Sequence, residues 1–151
     1  MPATSPRAER ASIVIARPVE DVFGVLTDVT NTGRWFPADV EEHWTSPPPH
    51  GVGSTRRATV KVLGRRVSND AVATVYDPPR RAAMRGLSRS APFEVELEFT
   101  PVTTGTRVEV DITIAAAGPM KVLAPAFTRW YGRSWQRGLA RLKDLMESGQ
   151  L

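Results

Sequence analysis

Residues 93–114 read FEVELEFTPVTTGTRVEVDITI. Apolar and polar side chains alternate in two runs of this stretch, from Phe93 to Phe99 and from Val108 to Ile114. A period of two places the apolar side chains of a strand on one face and the polar ones on the other. Thr103 to Gly105 separate the runs and have the composition of a turn. The stretch therefore predicts an antiparallel hairpin with one buried face, and we expect the other face to expose Glu94, Glu96, Glu98 and Glu109.

The same alternation extends toward the N-terminus and is interrupted by proline and glycine. Pro47 to Gly51, Gly64 and Asp77 to Pro79 mark turns between the runs. A first strand ends ahead of Arg17-Pro18. The sequence thus predicts strands at about residues 10–16, 39–45, 53–63, 66–77, 80–88, 92–100 and 105–116.

Two short helices are predicted between the first two strands. Pro18 suits the first position of a helix, and the acids Glu20 and Asp21 suit its first turn. With apolar residues at helical spacing behind them, they predict a helix over about residues 18–28. A second helix of one or two turns ends at the adjacent aromatics Trp35 and Phe36.

A long helix is predicted at the C-terminal end, from about Ala126 to Glu147. Pro125 is either its first residue or a kink near its start. At 100° per residue one face carries six residues that we expect to contact the sheet: Phe127, Tyr131, Ser134, Gly138, Leu142 and Leu145. The opposite face, which we expect in solvent, carries Arg129, Arg133 and Arg137.

The composition is that of one soluble globular domain of 151 residues, 41% hydrophobic and 24% charged. The absence of cysteine excludes a disulfide framework and thiolate metal sites. A net charge of +4 does not by itself predict a nucleic-acid partner. Neither a membrane span nor a signal peptide is predicted. We therefore expect a cytoplasmic protein with a flexible tail at residues 1–8 and a single domain at residues 9–148.

Several local motifs accompany this α+β order of elements. They are the strand-to-helix junction at residues 13–23, the aromatic-ended segment 28–37, Gly51-Val-Gly53, and the hairpin at residues 72–80. Together they resemble the START-like superfamily (the birch-pollen-allergen fold), in particular its bacterial polyketide cyclase/dehydrase family, over about residues 9–147. The resemblance implies a helix-grip fold, a curved seven-stranded antiparallel sheet around the C-terminal helix. The family includes ligand carriers, cyclases and sensors, so fold does not imply function here.

Catalytic motifs are not evident. The only histidines are His43 and His50, and neither a G-x-S-x-G elbow nor a glycine-rich phosphate loop is present. Three or four metal ligands at suitable spacing are also missing. The sequence predicts no metal and no cofactor, and it leaves open whether the protein is an enzyme.

Small residues predict a cavity between the long helix and the sheet. Ser134 and Gly138 lie among bulky residues on the helix, and the strands carry Ala71, Ala73, Ala82 and Gly86. A close-packed core would fill such positions. The alternative is that they let helix and sheet approach closely. The resemblance favours the cavity, because family members are commonly hollow.

Aromatic and polar side chains are the candidate ligand contacts. Arg56 and Arg57 are adjacent on one strand and must point to opposite faces, as must Asn69 and Asp70, and parity leaves open which of each pair faces inward. A buried arginine needs an anion, which suits a carboxylate or phenolate on the ligand. The candidate site comprises Trp35, Phe36, Arg56, Asn69, Met84, Phe93, Phe127, Tyr131, Ser134 and Gly138, with Trp44 and Trp130 as further lining.

The leading hypothesis is a monomer or homodimer that binds a hydrophobic or polyaromatic small molecule, a lipid or a polyketide-like compound. One alternative is a polyketide cyclase/dehydratase in which Tyr131, Asn69 or an arginine polarises a carbonyl of a folded chain. Another is a partner-binding module, antitoxin-like or quinone-chaperone-like. An acid/base pair in the cavity would favour the enzyme, an apolar lining the carrier, and an exposed apolar patch the partner module.

Overall fold

The computed structural model describes residues 7–88, 92–115 and 118–151. In chain order the elements are β1 (Arg7–Ile15), α1 (Val19–Thr27), a 3₁₀ turn (Val29–Asn31), α2 (Thr32–Trp35), β2 (Val40–Trp44), β3 (Thr55–Val62), β4 (Arg65–Asp77), β5 (Arg81–Gly86), β6 (Phe93–Val102), β7 (Gly105–Ile114) and α3 (Met120–Glu147). β1 begins inside the predicted tail of residues 1–8, of which residues 1–6 lie outside the described part. Residue 116, the end of the last predicted strand, also lies outside it.

The strands form one antiparallel sheet in the order β1-β7-β6-β5-β4-β3-β2. Consecutive strands from β2 to β7 are neighbours. β1 lies at the edge of the sheet and pairs with β7, with Arg7 opposite Ile114 at one end and Ile15 opposite Thr106 at the other. α3 packs against β1 and β7, and α1 packs against β6 and β7. The predicted helix-grip fold is confirmed: a curved sheet with a long C-terminal helix and short helices after the first strand.

The β6–β7 hairpin has the two faces that the alternation predicts. Six of its eight inward residues are buried, while Phe93 and Leu97 are half-buried. Glu94, Glu96 and Glu98 are exposed, as expected. Glu109 is half-buried instead, and it lies on the outer face between Ser12 of β1 and Glu98 of β6.

α3 starts six residues earlier than the sequence predicts, with Pro125 inside the helix. Its first turn is closed by hydrogen bonds to the third preceding residue: Lys121 N donates to Gly118 O (3.1 Å) and Val122 N to Pro119 O (3.4 Å). Pro125 lacks the N–H that would bond the carbonyl of Lys121, so the helix loses one backbone hydrogen bond near its start.

The buried face of α3 is rotated relative to the predicted one. Ser134, Gly138 and Leu142 are buried as expected and Leu145 is half-buried, but Phe127 is 44% exposed. The largest side chains that anchor the helix were not predicted: Trp135, Leu139 and Met146. Their apolar area exceeds that of the small residues on the predicted face, so burying them sets the helix rotation. Arg129, Arg133 and Arg137 are exposed, as predicted.

Candidate functional site

A cavity of about 300 Å³ lies between the inner face of β2–β6 and the first half of α3, with α1 and α2 closing one side. Its walls are mainly apolar side chains. Ala71, Ala73 and Ala82 leave space on the sheet side, as expected from their size. Gly86 has another role, because the Phe93 ring covers this glycine and leaves no room for a Cβ.

Eight of the ten candidate site residues line this cavity, and so do the two further aromatics. They are Trp35, Phe36, Arg56, Asn69, Met84, Phe93, Phe127 and Tyr131, with Trp44 and Trp130. They come from α2, from strands β2 to β6 and from α3, so residues up to 96 positions apart meet at one site. Contact of each with a ligand remains a prediction.

Ser134 and Gly138 were expected to open the cavity, and that expectation is wrong for Gly138. Both residues are buried, but neither is on the cavity wall. A Cβ built on Gly138 would lie 3.0 Å from Cε3 and Cζ3 of Trp35 and 3.3 Å from Cδ of Pro37. The glycine therefore lets α3 approach α2 closely; the alternative left open by the sequence was also a close approach, but between helix and sheet.

The register of β3 and β4 decides which residue of each adjacent polar pair, Arg56 or Arg57 and Asn69 or Asp70, faces the cavity. Arg57 lies opposite Asp70, and their side chains form an ion pair on the outer face, with Nε to Oδ1 at 2.8 Å. Arg56 and Asn69 therefore point inward and line the cavity. The Arg57 guanidinium hydrogen-bonds Asp70 and lowers the pKa of that carboxyl.

An ion pair lies inside the mainly apolar cavity. Nε of Arg56 is 3.6 Å from Oε2 of Glu42, and the side chains are 18% and 10% exposed. Thr32 Oγ1 donates a hydrogen bond of 2.7 Å to Oε1 of Glu42, and the Arg56 guanidinium also contacts the sulfur of Met84. The carboxylate thus neutralises the buried arginine, as burial of a charge requires.

Tyr131 places a phenol in the same cavity. Burial raises the pKa of Tyr131, with the Glu42 carboxylate adding to the rise while the Arg56 charge opposes it. The phenol is therefore protonated at neutral pH and can donate a hydrogen bond to a ligand oxygen.

Aromatic rings pack around this phenol. The ring centroids of Tyr131 lie 6.0 Å from Phe127, 6.1 Å from Phe36 and Phe93, and 6.4 Å from Trp135. The Trp35 and Trp135 rings, 5.2 Å apart, have buried indole N–H groups without a hydrogen-bond acceptor among the described residues. The cluster offers an apolar, aromatic wall to a ligand.

Two functional side chains were missed by sequence reasoning. Glu42 lies two residues before Trp44, and because strand side chains alternate, an inward Trp44 implies an inward Glu42. That signal was available. Trp135 also lines the cavity, and its helical spacing with Leu139 and Leu142 was a signal that could have found it. His43 is exposed, and His50 stacks on Trp44 with ring centroids 4.0 Å apart.

The arrangement can hold an apolar ligand, pair an acidic group with Arg56 and donate a hydrogen bond from Tyr131. Within the described ranges no three His, Asp or Glu side chains are placed to share a metal ion. No helix in the same ranges combines the length and hydrophobicity needed to cross a bilayer.

Comparison with known proteins places these features in context. A sequence profile described as "Polyketide cyclase / dehydrase and lipid transport" matches residues 9–147. Uncharacterised proteins of Mycobacterium tuberculosis and Mycobacterium bovis are 26% identical over 144 residues, which covers 93% of this chain and 84% of theirs.

Solved structures share the fold. TTHA0849 from Thermus thermophilus superposes with a TM-score of 0.77 at 18% identity, covering 96% of this chain and all of that one. The di-domain ARO/CYC protein StfQ of the steffimycin biosynthetic pathway has a TM-score of 0.80 at 13% identity, covering 97% of this chain and 52% of StfQ. At these identities the likeness concerns the fold alone.

Proposed function

This chain belongs to the family of polyketide cyclases/dehydrases and lipid transport proteins, and on that premise we propose that it binds a hydrophobic or polyaromatic small molecule in the cavity beneath α3. The observation that carries the proposal is the cavity itself, about 300 Å³ with aromatic and aliphatic walls. That volume lies at the lower end of the usual range for small-molecule sites, about 300–1,000 Å³. A compact lipid or a small polyketide-like ring system fits this description.

The ion pair adds a preference for an acidic ligand. Glu42 and Arg56 are separated by 3.6 Å, too long for a strong charge-assisted hydrogen bond. A ligand carboxylate or phenolate can therefore compete with Glu42 for the guanidinium. Tyr131 is placed to donate to a second ligand oxygen, and the aromatic cluster to hold the rings.

A matched pair of dyes tests this proposal. Anilinonaphthalene sulfonate and the uncharged N-phenylnaphthylamine share one ring skeleton and differ in the anionic group. Both should fluoresce on binding to the wild type, and the sulfonate should bind more tightly. Glu42→Gln leaves Arg56 without its carboxylate partner. It should raise the affinity for the sulfonate dye by about tenfold, which corresponds to about 1.4 kcal/mol, and leave the affinity for the neutral dye unchanged.

The control is the double variant Glu42→Gln/Arg56→Met, which has no unpaired buried charge and keeps the apolar stem. It should bind the two dyes equally and unfold cooperatively. A wild type that binds neither dye would contradict ligand binding, while equal binding of the dyes by wild type and Glu42→Gln would contradict the anion preference. Native mass spectrometry of the protein from its own host would then identify a co-purified ligand.

A cyclase/dehydratase is the second candidate. It is favoured because the cavity holds a phenol that can act as an acid, Tyr131, and a carboxylate that can act as a base, Glu42. The resemblance in fold to StfQ is compatible with it. In such a reaction the Tyr131 phenol would donate a hydrogen bond to a carbonyl oxygen that gains charge as a carbon–carbon bond forms. Incubation with a poly-β-ketone surrogate separates the candidates by mass. A carrier returns it unchanged, whereas a cyclase/dehydratase releases a product lighter by one water for each dehydrated ring.

We further propose that the protein works in the cytoplasm as a monomer or homodimer. The support is compositional, since the chain has the size and composition of one globular domain. Analytical ultracentrifugation of the purified protein would give its mass, and fractionation of host cells would give its location.

A further inference from the structure

One end of the molecule presents several exposed apolar side chains beside the cavity. Antiparallel alternation brings the C-terminal ends of β3, β5 and β7 to this end, together with the start of α3. We call the exposed set the mouth face: Leu63 (100% exposed), Val67 (48%), Val122 (81%), Leu123 (59%), Phe127 (44%) and Trp130 (45%). Val67, Phe127 and Trp130 also line the cavity, so the mouth face surrounds an opening of it.

Positive charge surrounds the mouth face. The sequence from residue 55 to 69, which contains the β3–β4 turn, has five Lys or Arg and no Asp or Glu. The sequence from residue 118 to 143 has six Lys or Arg and again no Asp or Glu. Lys61, Arg65 and Arg66 are exposed at the turn, as are Lys121 and Arg129 on α3. Asp39 lies next to the turn, where its backbone oxygen accepts a hydrogen bond from Lys61 N. By contrast, Glu94, Glu96 and Glu98 lie on the outer face of the sheet.

Leu63 also has an unfavourable backbone. It lies in the tight turn with Gly64, at φ 51° followed by φ 78°, where Asn, Asp or Gly is favoured. A fully exposed leucine in the left-handed region stabilises neither the turn nor a core. Its presence is explained if the side chain contacts something outside the molecule.

We propose that the mouth face docks on the surface of an anionic lipid bilayer. Leucines projecting from separate elements, a tryptophan beside them and surrounding Lys and Arg are the composition of interfacial membrane-binding surfaces. Leu63 and Leu123 project singly from a turn and a helix, and a fluid bilayer accommodates such projections without a complementary pocket. This inference is independent of which small molecule the cavity binds.

Flotation of the full-length protein with lipid vesicles tests the proposal. The wild type should float with mixed phosphatidylglycerol and phosphatidylcholine vesicles, less as salt is raised, and should not float with phosphatidylcholine alone. Leu63→Asn/Leu123→Ser should lower partitioning by about tenfold while leaving dye binding intact. Leu63→Asn alone should weaken partitioning and yet raise the melting temperature, because asparagine suits the turn.

Matched controls come from the opposite end of the sheet, which holds the β2–β3 loop, the β4–β5 turn and the start of β7. Val52→Ser removes an apolar side chain there that is 68% exposed, and it should leave partitioning unchanged. Arg65→Glu/Arg66→Glu and Arg80→Glu/Arg107→Glu each change the net charge by −4, from +4 to 0. Only Arg65→Glu/Arg66→Glu should abolish flotation.

Three outcomes would overturn the proposal. The first is a wild type that does not float with anionic vesicles. The second is an equal loss in the two arginine double variants, because net charge alone would then explain binding. The third is binding that responds to salt and to Arg65→Glu/Arg66→Glu but not to Leu63→Asn/Leu123→Ser, which would indicate an acidic macromolecule as the partner.

Discussion

Gly138 shows how a single missing side chain positions two helices. Its Cα lies so close to the Trp35 ring that an added Cβ would be 3.0 Å away. Trp35 is itself buried and packs against Trp135 with the two rings tilted by 52°. The glycine therefore sets the distance between α2 and α3, and with it the side wall of the cavity.

We expect Gly138→Leu to lower the free energy of unfolding by about 1–3 kcal/mol or more, because overpacking forces the tryptophan to move. Gly24 of α1 is the matched control. Nothing lies within 4 Å of a Cβ built there, and Gly24→Ala should stabilise by about 0.5–1 kcal/mol through helix propensity. Chemical denaturation of both variants measures the difference, and a well-folded Gly138→Leu would contradict close packing at this position.

Phe127 and Leu139 separate binding from stability on one helix. Phe127, assigned to the core by sequence periodicity, is 44% exposed at the cavity opening, whereas Leu139 is fully buried. Leu139→Ala should cost about 2–5 kcal/mol. Phe127→Ala should cost clearly less but weaken dye binding, and exposed Arg133→Ala should stay within about 0.5 kcal/mol. If the two substitutions lowered the free energy of unfolding equally, Phe127 would be part of the core after all.

At the scale of elements, the C-terminal half of α3 is attached to the edge strand β1 by polar contacts. Lys143 Nζ donates to Val14 O (2.9 Å), and Glu147 Oε2 accepts from Ala16 N (2.9 Å) and from Lys143. The amide of Gln136 both accepts from Ser12 N and donates to Ser12 O. These bonds satisfy backbone groups on the exposed edge of β1 and oppose pairing with another chain.

Glu147 makes part of this attachment sensitive to pH. The bonds from Lys143 and from Ala16 N lower the pKa of Glu147 in the folded state. Its contribution to stability is therefore complete above the unfolded-state pKa of about 4.3 and is lost as pH falls through the lower folded-state value. Thermal melts from pH 6 downward should show a smaller acid-induced loss of stability in Glu147→Gln than in the wild type. Parallel curves would show that the carboxylate does not contribute.

At the scale of the whole molecule, the cavity makes stability depend on occupancy. A ligand at about 100 times its dissociation constant stabilises the folded state by about 2.7 kcal/mol. For a chain of 151 residues each kcal/mol shifts the melting temperature by about 2–4 °C, so saturation should raise it by roughly 5–11 °C.

Ala71→Leu tests whether that rise comes from the cavity. Ala71 is buried on β4 and lines the cavity, so a leucine there occupies the space of the ligand. The variant should fold and lose most of the ligand-induced rise in differential scanning fluorimetry. An undiminished rise in Ala71→Leu would place the ligand elsewhere.

Local patterns in the sequence determined the elements and their order. Alternation identified both strands of the β6–β7 hairpin and their wet and dry faces, because that pattern depends only on the period of an extended chain. Turn residues bounded the strands to within a few positions. The aromatic candidates for the cavity wall could also be predicted, since large apolar side chains at inward positions have few other places to go.

Tertiary structure alone decided the features that depend on how elements meet. Strand parity left Arg56 and Arg57 equivalent, and only the register against β4, with Arg57 opposite Asp70, turned Arg56 inward. By contrast, the rotation of α3 could have been predicted, because Trp135, Leu139, Leu142 and Met146 are spaced by four, three and four residues, as on one face of a helix. Gly138 could not be told apart from a cavity-forming residue, because its contact with Trp35 depends on how α2 and α3 meet. A residue without a side chain leaves a void or allows a close contact, depending on which residue the fold places next to it. Next to Gly138 the fold places Trp35, so the result is a close contact.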